Sequence, residues 1–215
     1  MSNKSNCFLL LCAVIGAVLY FSGCDNCSSC SKKSEDKTAD KTAVQTEQKE
    51  STPTDASSKK DLVIYFSATG TTKGIAEKIA AAADADLYEI VAAQPYSDAD
   101  LNWHDPKSRT SLETNDPNSR PEIAGNEVSL DGCKRVFIGY PIWWGEAPKI
   151  LSTFVESHKF DGITVVPFCT STSSDLGNSG KILEKQAKSG TWQTGKRFQG
   201  NESQDDVQTW VKSLE

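Results

Sequence analysis

Histidine is nearly missing from this 215-residue chain, His104 and His158 being the whole supply. No G-x-S-x-G segment occurs either, so a Ser–His hydrolase lacks both its nucleophile elbow and its base. A C-x5-R phosphatase loop starting at Cys169 fails because Asp175 stands where the arginine belongs. Past residue 60 the cysteines are Cys133 and Cys169 alone, and no Cys/His group has metal-ligand spacing. An excess of basic charge is missing too. The formal net charge is −6, which excludes generic nucleic-acid binding, a process driven by displacing phosphate counterions with Lys and Arg. Eight prolines and fourteen glycines are too few for a collagenous chain. Apolar residues make up only 37%, low for one compact domain, so a polar unpacked segment dilutes the average.

Long apolar runs are confined to one place. Cys7 to Phe21 is 15 residues long and follows a short polar start containing Lys4. A membrane-spanning helix needs about 20 such residues, so the run has the length of a signal-peptide core. It closes on Phe21-Ser22-Gly23-Cys24, which resembles a bacterial lipobox; the resemblance implies diacylation of Cys24 as the mature N-terminus. The alternative is an uncleaved N-terminal anchor. Cys24, Cys27 and Cys30 also open a C-x2-C-x2-C ferredoxin spacing, but Ser34 occupies the fourth ligand position and no proline follows. Further lipidation, a local disulfide or no role at all remain for Cys27 and Cys30. Residues 24–60 carry seven basic and seven acidic side chains and almost no large apolar ones. Such a segment cannot bury enough surface to offset its ordering entropy, and reads as a disordered tether. The expected organisation is a signal peptide over 1–23, a tether over 24–60 and a domain over 61–215. That domain holds 22 acidic and 15 basic residues, a net −7, and so all the negative excess.

Within the domain, strand and helix patterns alternate. Leu62–Phe66 is a nearly continuous apolar run, as in a strand buried on both faces. Thr72–Ala83 follows at helical spacing. Strands are expected at Leu87–Val91, Arg135–Tyr140 and Ile163–Phe168, with a weaker fifth at Trp192–Phe198. Helices are expected at Pro148–Ser157 and Gly180–Ala187, and a last one after Ser203, which caps it ahead of Asp205 and Asp206. This alternation predicts an α/β parallel sheet with helices on both faces. Ala92–Leu130 breaks the rhythm. It reads as an insertion between the second and third strands, with Trp103, Leu112 and Ile123 as anchors and a short helix within Asp98–Leu112. His158 ends a helix and reads as a cap or surface residue, while His104, beside Trp103, could face a substrate. Cys133 and Cys169 fall at opposite ends of neighbouring parallel strands, too far apart for a disulfide.

The loops after the strands carry the chemistry. Ser67, Ala68, Thr69, Gly70, Thr71 and Thr72 run straight into the first helix. Backbone N–H groups, a positive helix end and small hydroxyls suit a terminal phosphate. Neither G-x-x-x-x-G-K-[ST] nor G-x-G-x-x-G is present. Taken alone this loop also reads as a Ser/Thr-rich helix cap. After the third strand come Pro141, Ile142, Trp143, Trp144 and Gly145. Two tryptophans just past a strand end are poorly explained as core and suit stacking on a planar ligand. After the fourth strand, Cys169 is followed by Thr170, Ser171, Thr172, Ser173 and Ser174, a run of small donors. In parallel α/β sheets such loops meet at one edge, so the three describe a site for a phosphate joined to a flat ring.

With these loops in place the domain resembles the flavodoxin-like FMN-binding proteins, the handiest illustration of that edge rule. Ser67, Thr69, Gly70 and Thr72 match the family's [ST]-x-T-G-x-T phosphate loop. Pro141 to Gly145, Asn178-Ser-Gly180 and Gly195-Lys-Arg-Phe198 are similar to a bacterial flavodoxin-like subgroup. The resemblance implies a doubly wound five-stranded sheet of order 2-1-3-4-5 and FMN as cofactor. It places the phosphate at Ser67–Thr72, one isoalloxazine face at Pro141–Gly145, and the pyrimidine edge and ribityl chain at Thr170–Ser174. It implies electron transfer at the cell envelope, with a redox partner protein or a small acceptor, and no side chain as acid or base. The alternatives are an FMN-dependent NAD(P)H:quinone-type reductase and a non-catalytic flavin-binding lipoprotein. The long insertion departs from the short electron-transfer flavodoxins.

Overall fold

The computed structural model describes residues 60–215. The expected signal peptide, Cys24 and the tether up to residue 59 lie outside the described residues. Along the chain run β1 (Lys60–Tyr65), α1 (Thr71–Ala83), β2 (Asp86–Glu89), β3 (Val91–Ala92), α2 (Arg109–Asn115), β4 (Ile123–Ala124) and β5 (Cys133–Pro141). There follow α3 (Lys149–Ser157), β6 (Thr164–Thr170), α4 (Ser179–Ala187), β7 (Thr191–Trp192), β8 (Lys196–Phe198) and α5 (Gln204–Lys212). No helix among the described residues is long and apolar enough to cross a membrane.

The main sheet is parallel, in the order β2-β1-β5-β6, with β7 and β8 both pairing along the far side of β6. Side chains alternate across it with a period of two. Leu62, Ile64, Phe66, Val136, Ile138, Tyr140 and Val165 pack with Ile150, Leu151, Phe154 and Val155 of α3 and Leu183 of α4. Val63, Tyr65, Phe137, Val166 and Phe168 pack with Ile75 and Ile79 of α1 and Val207 and Val211 of α5. Both faces are therefore covered, which is why β1, β5 and β6 read as unbroken apolar runs. This is the expected flavodoxin-like doubly wound fold, and its strand order agrees with 2-1-3-4-5.

One difference concerns the fifth position. The single strand expected over Trp192–Phe198 is two short ones, separated at Gln193–Gly195. Pro167 sits opposite the gap in β6, and a proline has no N–H for a ladder bond. The chain passes so close there that a Cβ on Gly195 would lie 2.3 Å from the Pro167 carbonyl oxygen. The second strand also ends earlier than expected. Val91 and Ala92 leave the main sheet and pair with Ala124 and Ile123 in an antiparallel ribbon at the base of the insertion.

Inside the insertion the helix covers Arg109–Asn115 instead of falling within Asp98–Leu112. Pro106 holds the preceding residue out of helical conformation, and Ser108 then caps the helix by accepting from the Ser111 N–H. Residues 97–105 form hydrogen-bonded turns in its place. The anchors also differ. Trp103 and Leu112 are exposed, at 66% and 56%, whereas Tyr96 packs edge-on against Phe66 and Trp143 at 5.7 and 5.5 Å. Its hydroxyl donates to Glu113, and Arg109 lies 4.0 Å over its ring. Ile123 does pack against the core.

Two carboxylates tie the insertion down. Asp100 accepts the Ser97 N–H and hydroxyl, and these bonds, the backbone one first, hold it below the ordinary carboxylate range. Glu156 of α3 takes Arg120 in a two-pronged pair at 2.8 Å, and that bond lowers its pKa. Both folded values lie below the unfolded ones, so their contribution is complete above the unfolded carboxylate range, near pH 4. It is lost as pH falls through the folded values. Acidification from pH 6 to 3 is expected to cost the wild type more urea stability than it costs an Asp100→Asn/Glu156→Gln double variant. Equal losses in the two proteins would refute the attribution.

Candidate functional site

The edge formed by the C-terminal ends of β1, β5 and β6 opens into a cleft of about 600 Å³. Its first wall is the turn from β1 into α1. Gly70 takes the N-cap position of α1 at φ 86°, a left-handed conformation that costs glycine nothing. No side chain caps this helix and no acid lies in its first turn, so its first N–H groups and positive end are left for an anion. Ser67 Oγ is buried with no hydrogen-bond partner, an arrangement that costs about 1–3 kcal/mol unless a ligand completes it. Thr72, also buried, is held by a 2.7 Å hydroxyl–hydroxyl bond to Thr170, which joins the first loop to the third.

The second wall is a tight hairpin after β5. Trp143 and Glu146 exchange two backbone hydrogen bonds of 2.9 Å. Between them Trp144 and Gly145 both have positive φ, 47° and 79°, the pattern of a type I′ turn. A tryptophan in the left-handed region is strained by about 1–2 kcal/mol. The two indoles have different surroundings. Trp143 is half-buried and packs edge-on against Phe66 and Tyr96, so part of its role is core. Trp144 is 47% exposed, and both line the cleft.

The third wall is the Ser/Thr run after β6. Ser171 Oγ accepts the Ser174 N–H at 2.9 Å, and the Ser171 N–H donates to the Phe198 carbonyl. Arg197 of β8 donates to the Ser171 carbonyl at 3.0 Å and pairs with Asp175 at 3.2 Å. Gly195-Lys-Arg-Phe198 thus straps this loop from behind. Asn178-Ser-Gly180 serves packing: Ser179 bonds the Tyr140 hydroxyl and the Leu176 carbonyl. Cys169 stands just before the loop, fully buried, and burial pushes its thiol up to about 12. It is a neutral filler there, not a nucleophile. Its sulfur and that of Cys133, at the opposite end of β5, are both free thiols.

Every sequence-predicted loop residue lines this one cleft except Gly70 and Gly145, which shape the turns. Four lining residues escaped the sequence reading as site residues: Leu101, Trp103 and Thr110 of the insertion, and Gln199 after β8. The available signal was the Trp103-His104 pair in a polar stretch. His104 packs against the Trp103 ring, 3.4 Å between centroids, while His158 caps α3 through a 2.8 Å contact between its Nδ1 and the Phe154 carbonyl. The lining contains no charged side chain. A ligand here can place an anionic group at the start of α1, and no side chain elsewhere in the lining would balance a charge.

A family model described as Flavodoxin matches residues 60–214. The crystal structure of a candidate flavoprotein from Bacteroides eggerthii is 46% identical, with a TM-score of 0.67, covering 72% of this chain and 97% of that one. Another candidate flavoprotein, from Bacteroides uniformis, is 44% identical with a TM-score of 0.68, over 71% and 97%. A flavoprotein from Lactobacillus acidophilus, solved in complex with FMN, shares the fold at 23% identity and a TM-score of 0.53, over 71% and 98%. No curated protein matches the chain at a significant level.

Proposed function

From the premise that this chain belongs to the flavodoxin family over residues 60–214, we propose that it binds FMN and transfers electrons at the bacterial cell envelope. The observation that carries the reading is a charge-free cleft in which an uncapped helix start, a buried unpartnered Ser67 Oγ and a half-exposed Trp144 face the same space. These residues fit the group. Ser67–Thr72 would hold the phosphate by N–H groups, hydroxyls and the helix dipole, with no cation. Trp144 would lie on the ring system, and Thr170–Ser174 would meet its polar edge. Bound FMN supplies one- and two-electron chemistry, and the protein sets its access and potential. The lining offers no positive side chain to favour negative charge on the ring. The domain's net −7 suits a basic redox partner, with association slowed by salt.

The envelope location rests on the apolar run Cys7–Phe21 and the Cys24 that follows it, read as a lipidated N-terminus ahead of a tether. One experiment tests both parts. The full chain, produced in a bacterium, is expected in the membrane fraction with FMN at one per chain. A Cys24→Ala variant is expected to lose palmitate label and become soluble while staying yellow. A colourless protein that refuses added FMN would sink the flavin reading, and a variant still labelled and membrane-bound would sink the anchor.

A further inference from the structure

The three strand-end loops account for a flavin site without help, yet the cleft has a fourth wall. Leu101, Trp103 and Thr110 belong to the insertion and line the same space. Trp103 is 66% exposed, the most exposed large hydrophobic among the described residues. It is nonetheless firmly presented. Asp100 closes the turn through three bonds to Ser97, and the Leu101 N–H returns to the Ser97 carbonyl at 3.0 Å. The His104 N–H bonds Asn102, and the Thr110 N–H and hydroxyl both donate to the Asp100 carbonyl, at 3.1 and 2.7 Å. Behind this turn, Tyr96, Arg109 and Glu113 lock α2 to the core. The turn is held on both sides of Trp103, whose ring is covered chiefly by His104 and, with two-thirds of its surface in water, adds little to folding.

The chemistry of the wall limits what it can take. With the Thr110 hydroxyl committed to the Asp100 carbonyl, the side chains of the wall offer apolar surface and one indole N–H donor. No charged side chain lines the cleft, so away from the start of α1 an ionic group would lose hydration without gaining a partner. Resting on the flavin reading, we propose that the insertion makes this a two-ligand cleft, with a second, neutral planar ring bearing a carbonyl, of the quinone class, lodged against Trp103 and Leu101. Trp103 is then a specificity residue for the second ligand and not part of the FMN site.

The test uses the oxidised, FMN-loaded full chain, with FMN stoichiometry and affinity measured first on the same preparation. 2-Methyl-1,4-naphthoquinone is then titrated in by calorimetry, conditions under which no electrons move. Saturable binding is expected in the wild type, weakened at least tenfold by Trp103→Ala and only partly restored by Trp103→Phe, which returns the ring face without the N–H donor. FMN affinity is expected to change less than twofold in both variants. A yellow, FMN-saturated protein that ignores the quinone overturns this inference alone. So does quinone binding untouched by Trp103→Ala, or a loss of FMN affinity as large as that of quinone, which would make Trp103 a flavin wall. A chain that takes up no FMN fails the flavin reading before the titration begins, and this inference falls with it.

Discussion

Replacing Thr71 by aspartate is expected to abolish FMN binding, by about a thousandfold or more, while leaving the fold as stable as before or more so. Thr71 is the first residue of α1, exposed, on the cleft, and next to an N-cap without a capping side chain. A carboxylate there would occupy the place of the phosphate. Two unit charges 4 Å apart repel by about 4 kcal/mol at an effective dielectric near 20, and a phosphate monoester carries nearly two. The same carboxylate meets the helix dipole favourably, by about 0.3–1 kcal/mol. Binding and stability therefore move in opposite directions, which no general damage to the domain would produce. Fluorescence titration of the FMN-free chain and a thermal melt read the two quantities separately. FMN affinity within tenfold of the wild type would remove the phosphate from this helix end.

The loop from Ser67 to Thr72, proposed above to hold the phosphate, was legible in the sequence as a strand-to-helix turn. Ser67–Thr72 sits between an unbroken apolar strand and a helical pattern, so its place at the sheet edge followed from topology alone. The other two loops were legible for the same reason. What sequence could not give was the division of labour between Trp143 and Trp144. Adjacent residues of one type differ only through their backbone, and the positive φ of Trp144 is set by a two-residue turn whose closing bonds are tertiary facts. The insertion was the hardest part. Hydrophobicity marked Trp103 and Leu112 as anchors, but it reports what a side chain prefers and not what neighbours arrive to cover it. Tyr96, less apolar, became the anchor because Glu113 satisfies its hydroxyl. The break in the fifth strand was hidden for a similar reason: its cause, Pro167, lies in the neighbouring strand.

Two glycines behind the cleft predict the largest losses of stability, and they differ in kind. A Cβ on Gly139 of β5 would come within 2.1 Å of Phe168 Cζ, the far end of a fully buried ring. A Cβ on Gly195 would lie 2.3 Å from the Pro167 carbonyl oxygen and 3.0 Å from its carbon, which are backbone. Overpacking of a full core costs about 1–3 kcal/mol and more where nothing can shift. Each alanine variant is therefore expected to lose about 3 kcal/mol, or roughly 6–12 °C in melting temperature for a domain of this size. Only the first has a remedy. Phe168→Leu withdraws the ring end, so the Gly139→Ala/Phe168→Leu double variant should be more stable than the sum of its parts by about 1–2 kcal/mol. Pro167→Ala leaves the offending carbonyl where it was and should not rescue Gly195→Ala. The second clash also reaches the site. Displacing Gly195 moves Arg197 and the Phe198 carbonyl, which strap Ser171. Gly195→Ala should therefore lose FMN affinity at temperatures where it is still folded, whereas the rescued Gly139 double variant should keep it. Rescue of both glycines by their partners, or of neither, would show that the strain at these contacts is not what the two strands resist.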